Sequence, residues 1–330
     1  MATGAIALER LQAGLEATRG TAVPATRRVY GERGTAFFDP TVTKEFLAES
    51  MSSYIKNYRH VVTGVAANLT IPGWVTPSDL AWWGQSYWKG GVTGVLSAVT
   101  VYTYTFSPTV GTDDLKTPTF EAQTDTQGWQ LPFCLGEKLE ISWQAGQAVK
   151  FSADLMAQQA IPQAVTAAIG DRTGLNGLAG TTANVYIDAG GGTIGTTPAV
   201  NVLGGKFTWT NQWMPITHNK GQLFYDDAVR EVRSLAIELD VHYNSQTELA
   251  TVQSDVERLI RVNFQGPLIA GSTGSIKEAV NMDFYGFHLD AAFSPNKAIR
   301  AVKLVGESQY DTTAGFDWAV ACITSNVTLP

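Results

Sequence analysis

Residues 65–71 read VAANLTI and residues 235–241 read LAIELDV, and this pair of stretches decides the fold. In both stretches apolar residues alternate with polar or small ones, which is the period of a half-buried β-strand. Each then leads through a short loop into a helix-start signal, TPSDL at 76–80 and SQTEL at 245–249. The chain therefore looks like one structural unit written twice, and such a repeat governs the whole fold.

A second pair of matching stretches extends this repeat. Residues 136–143 read GEKLEISW and residues 286–293 read GFHLDAAF. Both run without a gap into a further strand, at 148–155 and 298–305 respectively. The order of elements in the two copies is thus the same: a strand, a capped helix, further strands and a hairpin.

The repeat predicts the domain organisation. We expect a mainly β fold of the α+β type with one short helix per repeat, built as two tandem β-sandwich or barrel domains. The predicted domains are residues 1–165, which include an N-terminal arm, and residues 166–330. A stretch rich in Ala, Gly and Thr at about 160–182 is the predicted linker.

Both predicted helices have start signals. Thr76 is placed at an N-cap, Pro77 at the first helical position and Asp79 near the positive end of the helix dipole. In the second copy, Ser245 and Glu248 form a capping box. The predicted buried faces are Leu80, Trp83 and Tyr87 in the first helix, and Leu249, Val252, Val256 and Leu259 in the second.

Tryptophan is concentrated in the first helix, at Trp82, Trp83 and Trp88. Neighbouring residues of an α-helix point about 100° apart, so Trp82 and Trp83 cannot both enter one narrow core. We expect one of the three to face another domain or subunit, with packing of all three in one core as the alternative.

The two copies differ in length at one place. Leu80 and Leu249 are 169 positions apart, whereas Gly136 and Gly286 are 150 apart, so the first copy carries 19 extra residues. These residues are mostly Gly, Thr, Ser and Asp. We therefore expect an insertion on a surface loop, where added length costs little entropy.

Composition and charge limit the classes of function. Only 16% of residues are charged and the net charge is −7. No basic cluster occurs, which argues against tight nucleic-acid binding.

Cys134 and Cys322 are expected to be reduced core thiols, with a bridge between domains as the alternative. No signal peptide and no membrane span of about 20 apolar residues is visible, so we expect synthesis in a cytoplasm and no membrane partner.

No motif for catalysis, metal binding or cofactor binding stands in a supporting context. Residues 190–195, GGGTIG, fit a dinucleotide pattern, but Pro198 follows where a helix is required. The four histidines have no second ligand at metal spacing, and the acid pair Asp113–Asp114 is typical of a solvated turn. We predict a non-enzymatic protein without cofactors; a Ser-His-Asp triad formed only in space stays open.

Several stretches resemble the tail tube (major tail) proteins of bacteriophages with long, non-contractile tails. They are EATRGTAVPATRR at 16–28, YTYTFSP at 102–108, VKFSADL at 149–155 and the run 207–225. The resemblance implies tube domains, each a β-sandwich flanked by a helix, whose sheets join those of neighbours around a lumen. It also implies that six domains form a ring, that rings stack, and that the N-terminal arm and a long hairpin loop reach between subunits.

The same resemblance implies partners and location. The tape-measure protein fills the lumen, tail terminator and distal tail or baseplate proteins bind the ends, and double-stranded DNA passes through without specific binding. The protein is then a virion component assembled in the host cytoplasm. With two tube domains per chain, three chains form a pseudo-sixfold ring; a hexamer with the second domain outside is the alternative.

Two long connections with aromatic residues, 39–59 and 214–227, are the expected ring-to-ring contacts. The candidate contact residues are Lys44, Glu45, Phe46, Lys56, Tyr58, Arg59, Thr217, Asn219, Phe224 and Tyr225. Other interpretations that stay open are another phage structural role, such as tail terminator, baseplate hub or capsid decoration, and a β-rich glycan-binding protein.

Overall fold

The computed structural model describes residues 10–32, 38–47, 59–109, 113–123, 127–172, 174–243, 256–272, 274–296, 299–326 and 329. Strands dominate this part of the chain, and one α-helix, α1, spans Pro77–Tyr87. The fold is therefore mainly β, as the alternation of apolar and polar residues predicts.

The strands are numbered in chain order. Those of the first half are β1 Arg10–Leu15, β2 Arg27–Arg28, β3 Phe38–Leu47, β4 Arg59–Trp74, β5 Val95–Ala98, β6 Val101–Phe106, β7 Pro118–Gln123, β8 Gly128–Leu131, β9 Leu135–Gln144, β10 Lys150–Ala157 and β11 Ile161–Pro162. Those of the second half are β12 Ala183–Ala189, β13 Val202–Ile216, β14 Asp227–His242, β15 Arg258–Leu268, β16 Lys277–Asn296, β17 Ile299–Glu307 and β18 Trp318–Thr324.

Eight strands form one antiparallel sheet, called here the principal sheet, in the order β3-β4-β10-β9-β13-β14-β17-β16. Residue alternation gives this sheet two different faces. In β14, Leu235, Ile237 and Leu239 are buried, whereas Glu238 and Asp240 lie on the opposite face. The sheet is open at both ends, so a single chain does not close a barrel.

The strand order of the principal sheet repeats. The first half supplies the block β3-β4-β10-β9, and the second half supplies the block β13-β14-β17-β16 in the same order. The blocks meet where β9 pairs with β13, from Lys138 opposite Thr210 to Gln144 opposite Gly204. The two halves thus share one sheet, and one cluster of buried apolar residues spans both.

Further strands lie beyond the principal sheet and share its core. One group, all from the first half, forms the sheet β11-β8-β7-β1-β2. The other group extends from β16 and consists of β12, β15 and β18 of the second half with β6 and β5 of the first. Strand β16 belongs to both arrangements because it bends at Gly286, whose φ is +63°. A Cβ at this position would lie 2.6 Å from the carbonyl oxygen of Gln309, so glycine is required.

Helix α1 begins as predicted. The Thr76 hydroxyl accepts a hydrogen bond from the Asp79 N–H at 3.1 Å, and Pro77 is the first helical residue. The Asp79 carboxylate also accepts hydrogen bonds from Arg27 and Arg172. Burial lowers the pKa of Arg27 to about 9 although Asp79 opposes that shift.

The tryptophans of α1 differ in part from the expectation. Trp82 and Trp83 are both fully buried, with their ring centroids 4.9 Å apart, and both rings pack against Phe120. Both rings fit because aromatic side chains of the adjoining sheet receive them together. Trp88, just after the helix, contacts Trp209 at 5.1 Å and thereby packs against the second half of the chain.

The predicted second helix is not borne out at its C-terminal end. Its cap at Ser245 and most of its length fall in residues 244–255, outside the described residues. Leu259, predicted on the buried helix face, lies in β15, where it is buried because β15 packs over the shared core.

The extra residues of the first half form a hairpin, which corrects the expectation of a surface loop. Strands β5 and β6 pair with each other, and β6 adds to the edge of β18 in the second half. Tyr104 and Phe106 of β6 are buried there. Alternating apolar residues in β6 make this edge position favourable.

The predicted linker packs against the first half over much of its length. The N–H of Leu178 donates to the Val75 carbonyl, and the Leu178 carbonyl accepts from the Val149 N–H. Leu178 itself is buried, and the Thr166 hydroxyl donates to Glu121. The Ala, Gly and Thr content of the predicted linker thus fits a segment that packs closely against other backbone, and not only a flexible linker.

The N-terminal segment forms two strands where an arm was expected. Residues 10–32 belong to the chain's own fold through β1 and β2, while residues 1–9 lie outside the described part. The buried Glu16 carboxylate accepts hydrogen bonds from the N–H groups of Gly20 and Phe133 and from the hydroxyls of Thr117 and Thr119, at 2.6–2.8 Å.

We predict that Glu16→Ala lowers the free energy of unfolding by roughly 3 kcal/mol or more, because four hydrogen-bond donors, three of them buried, lose their acceptor. Urea unfolding followed by tryptophan fluorescence measures this change. The exposed Glu307→Ala is the control and is expected to change it by less than about 0.5 kcal/mol. Equal effects of the two variants would contradict the role of Glu16.

Candidate functional site

The two outer strands of the principal sheet present backbone groups without a described strand beside them. The Val65 N–H donates to the Leu223 carbonyl on the side of β4 away from β3. Its partner Val42 therefore directs its own N–H and C=O away from β4, because backbone directions alternate along antiparallel strands. The outward-directed residues of β3 are Phe38, Pro40 and Val42.

The opposite edge is the second part of β16. The Ser308 N–H donates to the Leu235 carbonyl, so even-numbered residues of β17 face β14 and odd-numbered residues face β16. Val305 lies opposite Asp290, which therefore faces β17. The outward-directed residues of β16 are Leu289, Ala291 and Phe293.

Apolar side chains continue to both edges on the core face of the sheet. On β3, Phe38 is buried but Val42 is 47% exposed. On β16, Leu289 is nearly buried but Phe293 is 62% exposed. An apolar row that becomes exposed at the outer strand of a sheet is suited to pairing with another strand.

The other face of the principal sheet carries a ladder of alternating charges. Lys138 and Glu140 are 3.1 Å apart on β9, and Glu140 is 3.8 Å from Lys206 on β13. The ladder continues through Glu238, 3.6 Å from Lys206 and 2.6 Å from Lys303. It crosses the β9–β13 junction, and each of its lysines has a carboxylate partner.

The ladder shifts the ionisation of its members. Burial raises the pKa of Glu238, but the hydrogen bond from Lys303 and the charge of Lys206 outweigh burial and hold the pKa below its ordinary value. The same hydrogen bond raises the pKa of Lys303. Both groups are therefore charged at neutral pH.

Two long hairpins extend from the same end of the principal sheet. Lys138 of β9 lies opposite both Asp154 of β10 and Thr210 of β13, which fixes a common level in the two halves. Beyond this level the β3–β4 hairpin continues to Leu47 and Arg59, and the β13–β14 hairpin continues to Ile216 and Asp227. The described parts of the predicted contact regions, residues 39–47, Arg59 and residues 214–227, thus lie in equivalent hairpins, although residues 39–47 form a strand and not a loop.

Three candidate contact residues of the first hairpin are exposed. Lys44, Glu45 and Phe46 lie on β3, and Phe46 is 57% exposed with its ring 5.8 Å from that of His60. Arg59 begins β4. Lys56 and Tyr58 fall outside the described residues.

The candidate residues of the second hairpin divide into two groups. Thr217 and Asn219 are exposed in the turn, and Phe224 is half-buried. Tyr225 is buried, which corrects the expectation of an exposed aromatic contact. Its hydroxyl lies within hydrogen-bond distance of the carbonyl oxygens of Phe133 and Met156, at 2.7 and 3.0 Å, so the turn folds back onto the first half.

Other motifs have structural explanations. The glycine-rich stretch at 190–195 is a turn after β12, where the Asp188 carboxylate accepts hydrogen bonds from the N–H groups of Gly195 and Thr197. The described part of the chain holds no cluster of three potential metal ligands, and it contains no helix long and apolar enough to span a membrane. Cys134 and Cys322 are separate buried thiols.

Comparison with known proteins gives no family assignment. No protein-family model matches the chain, and a search of curated proteins found no significant match. The edges, faces and hairpins of the principal sheet are therefore the features that bear on function.

We predict that Glu238→Gln lowers the free energy of unfolding by about 0.5 kcal/mol at pH 7 and low salt, the size typical of exposed ion pairs. Because the folded state holds the pKa of Glu238 below its ordinary value of 4.5, the contribution is full above that value and disappears as the pH falls through the folded pKa. Urea unfolding at pH 7 and pH 2.5, and at pH 7 in 1 M salt, measures it. Glu307→Gln is the control, and a pH-independent difference would contradict the charge ladder.

Proposed function

We propose that the chain is the structural subunit of a bacteriophage tail tube, with no enzymatic activity. Three copies form a ring, rings stack into a tube, and the lumen conducts double-stranded DNA at ejection. The observation that carries this proposal is the principal sheet: two four-strand blocks lie side by side in the same order, and neither outer strand has a described strand on its outer side.

The arrangement of the blocks supports three chains per ring. A block already pairs with the next block inside the chain, last strand to first strand, at β9 and β13. Repeating this head-to-tail contact between chains closes a ring if the rotation per block fits. Three copies of the eight-strand sheet then give a 24-stranded barrel. The alternative hexamer would leave the second block outside, although it shares a sheet with the first.

The charge ladder supports placing the uncovered face of the principal sheet towards the lumen. A polyanion binds when lysines or arginines replace its counterions. Lys138, Lys206 and Lys303 each already have a carboxylate partner. A lumen lined this way lets the tape-measure protein and then DNA move through with weak attraction.

The hairpins support stacking of the rings. Both extend from the same end of the sheet, one in each half, so a threefold ring presents six hairpins towards the next ring. At the two ends of the tube the same surfaces are available to the tail terminator and to distal tail or baseplate proteins. A terminator or hub would instead stop at a single ring, which the next experiment distinguishes.

We expect negative-stain microscopy of concentrated protein to show tubes, and light scattering of their dissociated rings to give the mass of three chains. Phe46→Ser removes an exposed apolar side chain from the first hairpin and is expected to leave rings but shorten or abolish tubes. Leu268→Ser, similarly exposed on β15 (59% against 57%), is the control and should leave tubes unchanged.

Single rings from the unaltered protein would favour a terminator or hub. A monomer at all concentrations, with stability that rises on adding sugars, would favour a glycan-binding protein and overturn the proposal. Normal tubes from Phe46→Ser would remove the first hairpin from the stacking contact.

A further inference from the structure

We propose that residues 289–293 of β16 pair antiparallel with residues 38–42 of β3 in a second copy of this chain, with Ala291 opposite Pro40. We further propose that Pro40 makes this joint between chains weaker than the β9–β13 joint within a chain. The inference rests on the proposed function for its assembly, but its register follows from the pairing inside the chain.

The internal joint supplies the geometry. In β9–β13, Leu139 lies opposite Trp209 and Ile141 opposite Phe207. The Ala145 N–H donates to the Leu203 carbonyl at 2.9 Å, which continues this ladder. Odd-numbered residues of both strands therefore form the hydrogen-bonded pairs of the joint.

The repeat transfers this register to the outer edges. Val65 and Leu235 are equivalent in the two copies of the repeat, and they lie opposite Val42 and Trp209 respectively. Val42 of β3 is thus the counterpart of Trp209 of β13. By the same repeat Leu289 is the counterpart of Leu139. Because Leu139 and Trp209 pair, Leu289 should pair with Val42 of the next copy.

The backbone directions and the side-chain faces of β3 and β16 both agree with this register. The register matches outward-directed residues of β3 only with outward-directed residues of β16, so both edges can exchange hydrogen bonds. It also matches core-face side chains with core-face side chains, including the exposed Val42 and Phe293. A shift by one residue would violate both conditions.

Pro40 distinguishes the two kinds of joint. Its counterpart Phe207 has an N–H directed at β9, whereas proline has no N–H to donate to Ala291. The backbone hydrogen bonds between chains also end early on β16. The next outward-directed residue after Phe293 is Pro295, which has no N–H. Proline on an edge strand limits pairing with unintended strands. Each ring therefore has three strong joints within chains and three weaker ones between them.

The register is tested with the double variant Thr41→Cys with Asp290→Cys in the full chain, oxidised under conditions that assemble rings. These residues form a predicted non-hydrogen-bonded pair with Cα atoms about 4.5 Å apart, within disulfide range. Both native cysteines are buried. We expect disulfide-linked dimers and trimers on a non-reducing gel, with no larger products, because a ring of three chains is closed.

Thr43→Cys with Asp290→Cys is the matched control, shifted by two residues to a separation of about 7–8 Å, and should not cross-link. Cross-linking at 43 instead of 41 would overturn the register while leaving the tube assignment intact. Rings that form but cross-link at neither position would overturn the joint itself. Absence of any ring would instead overturn the proposed function, and this joint with it.

The strength of the joint is tested with Pro40→Val, which restores one donor. One added hydrogen bond is expected to strengthen each joint between chains about fivefold. The protein concentration at which half of the chains are assembled into rings should fall accordingly. Pro267→Val in β15, outside the principal sheet and both of its hairpins, is the control and should leave this concentration unchanged. Equal behaviour of the two variants, both with unchanged urea midpoints, would contradict the role of Pro40.

Discussion

The backbone hydrogen-bond ladder between β9 and β13 is the interaction on which the rest of the structure depends. Without it each half would be a four-strand block with two open edges, and open edges invite unspecific pairing. With it, two of those edges are satisfied inside the chain and the apolar rows of both blocks become continuous. Trp143 and Phe207, whose rings are 4.8 Å apart across this junction, then pack into one core.

This junction also explains why α1 can hold so many large side chains. Trp88 reaches Trp209 of the second half, while Trp83 packs against Phe151 of the first. A helix that served only one half would have to turn one of these rings to solvent. The shared core receives them together, so the aromatic content of the helix is a consequence of the joined halves.

Features that depend on local sequence could be predicted. The alternation in 65–71 and 235–241 gives strands, and Thr76 with Pro77 gives the start of α1, because neighbouring residues determine both. The repeat also predicts that 136–143 and 286–293 each lead into a further strand, and the β9–β10 and β16–β17 pairs confirm this. Strand β3, Phe38–Leu47, was missed because only its pairing with β4 reveals it as a counterpart of β13. The T-x-T pattern at Thr41–Thr43 does recur at Thr208–Thr210.

Features that depend on distant partners could not be predicted. Nothing near Glu16 in sequence shows that its carboxylate accepts hydrogen bonds from Thr117, Thr119 and Phe133, so this segment was interpreted as an arm. Tyr225 is surrounded by turn residues and gives no sign of the carbonyl groups of Phe133 and Met156. In the candidate site, the hairpins were indicated by sequence, whereas the two edges became visible only through the backbone directions.

The β5–β6 hairpin adds strands to the second half alone and has a consequence for the exterior of any ring. The outline of a three-chain ring would carry three protrusions separated by 120°, not six equal ones. Only the second-half block of each chain bears the extra strands. These protrusions would make the rotational orientation of each ring visible. The angular step from one layer to the next could then be read directly from images, without the sixfold ambiguity that identical blocks would impose.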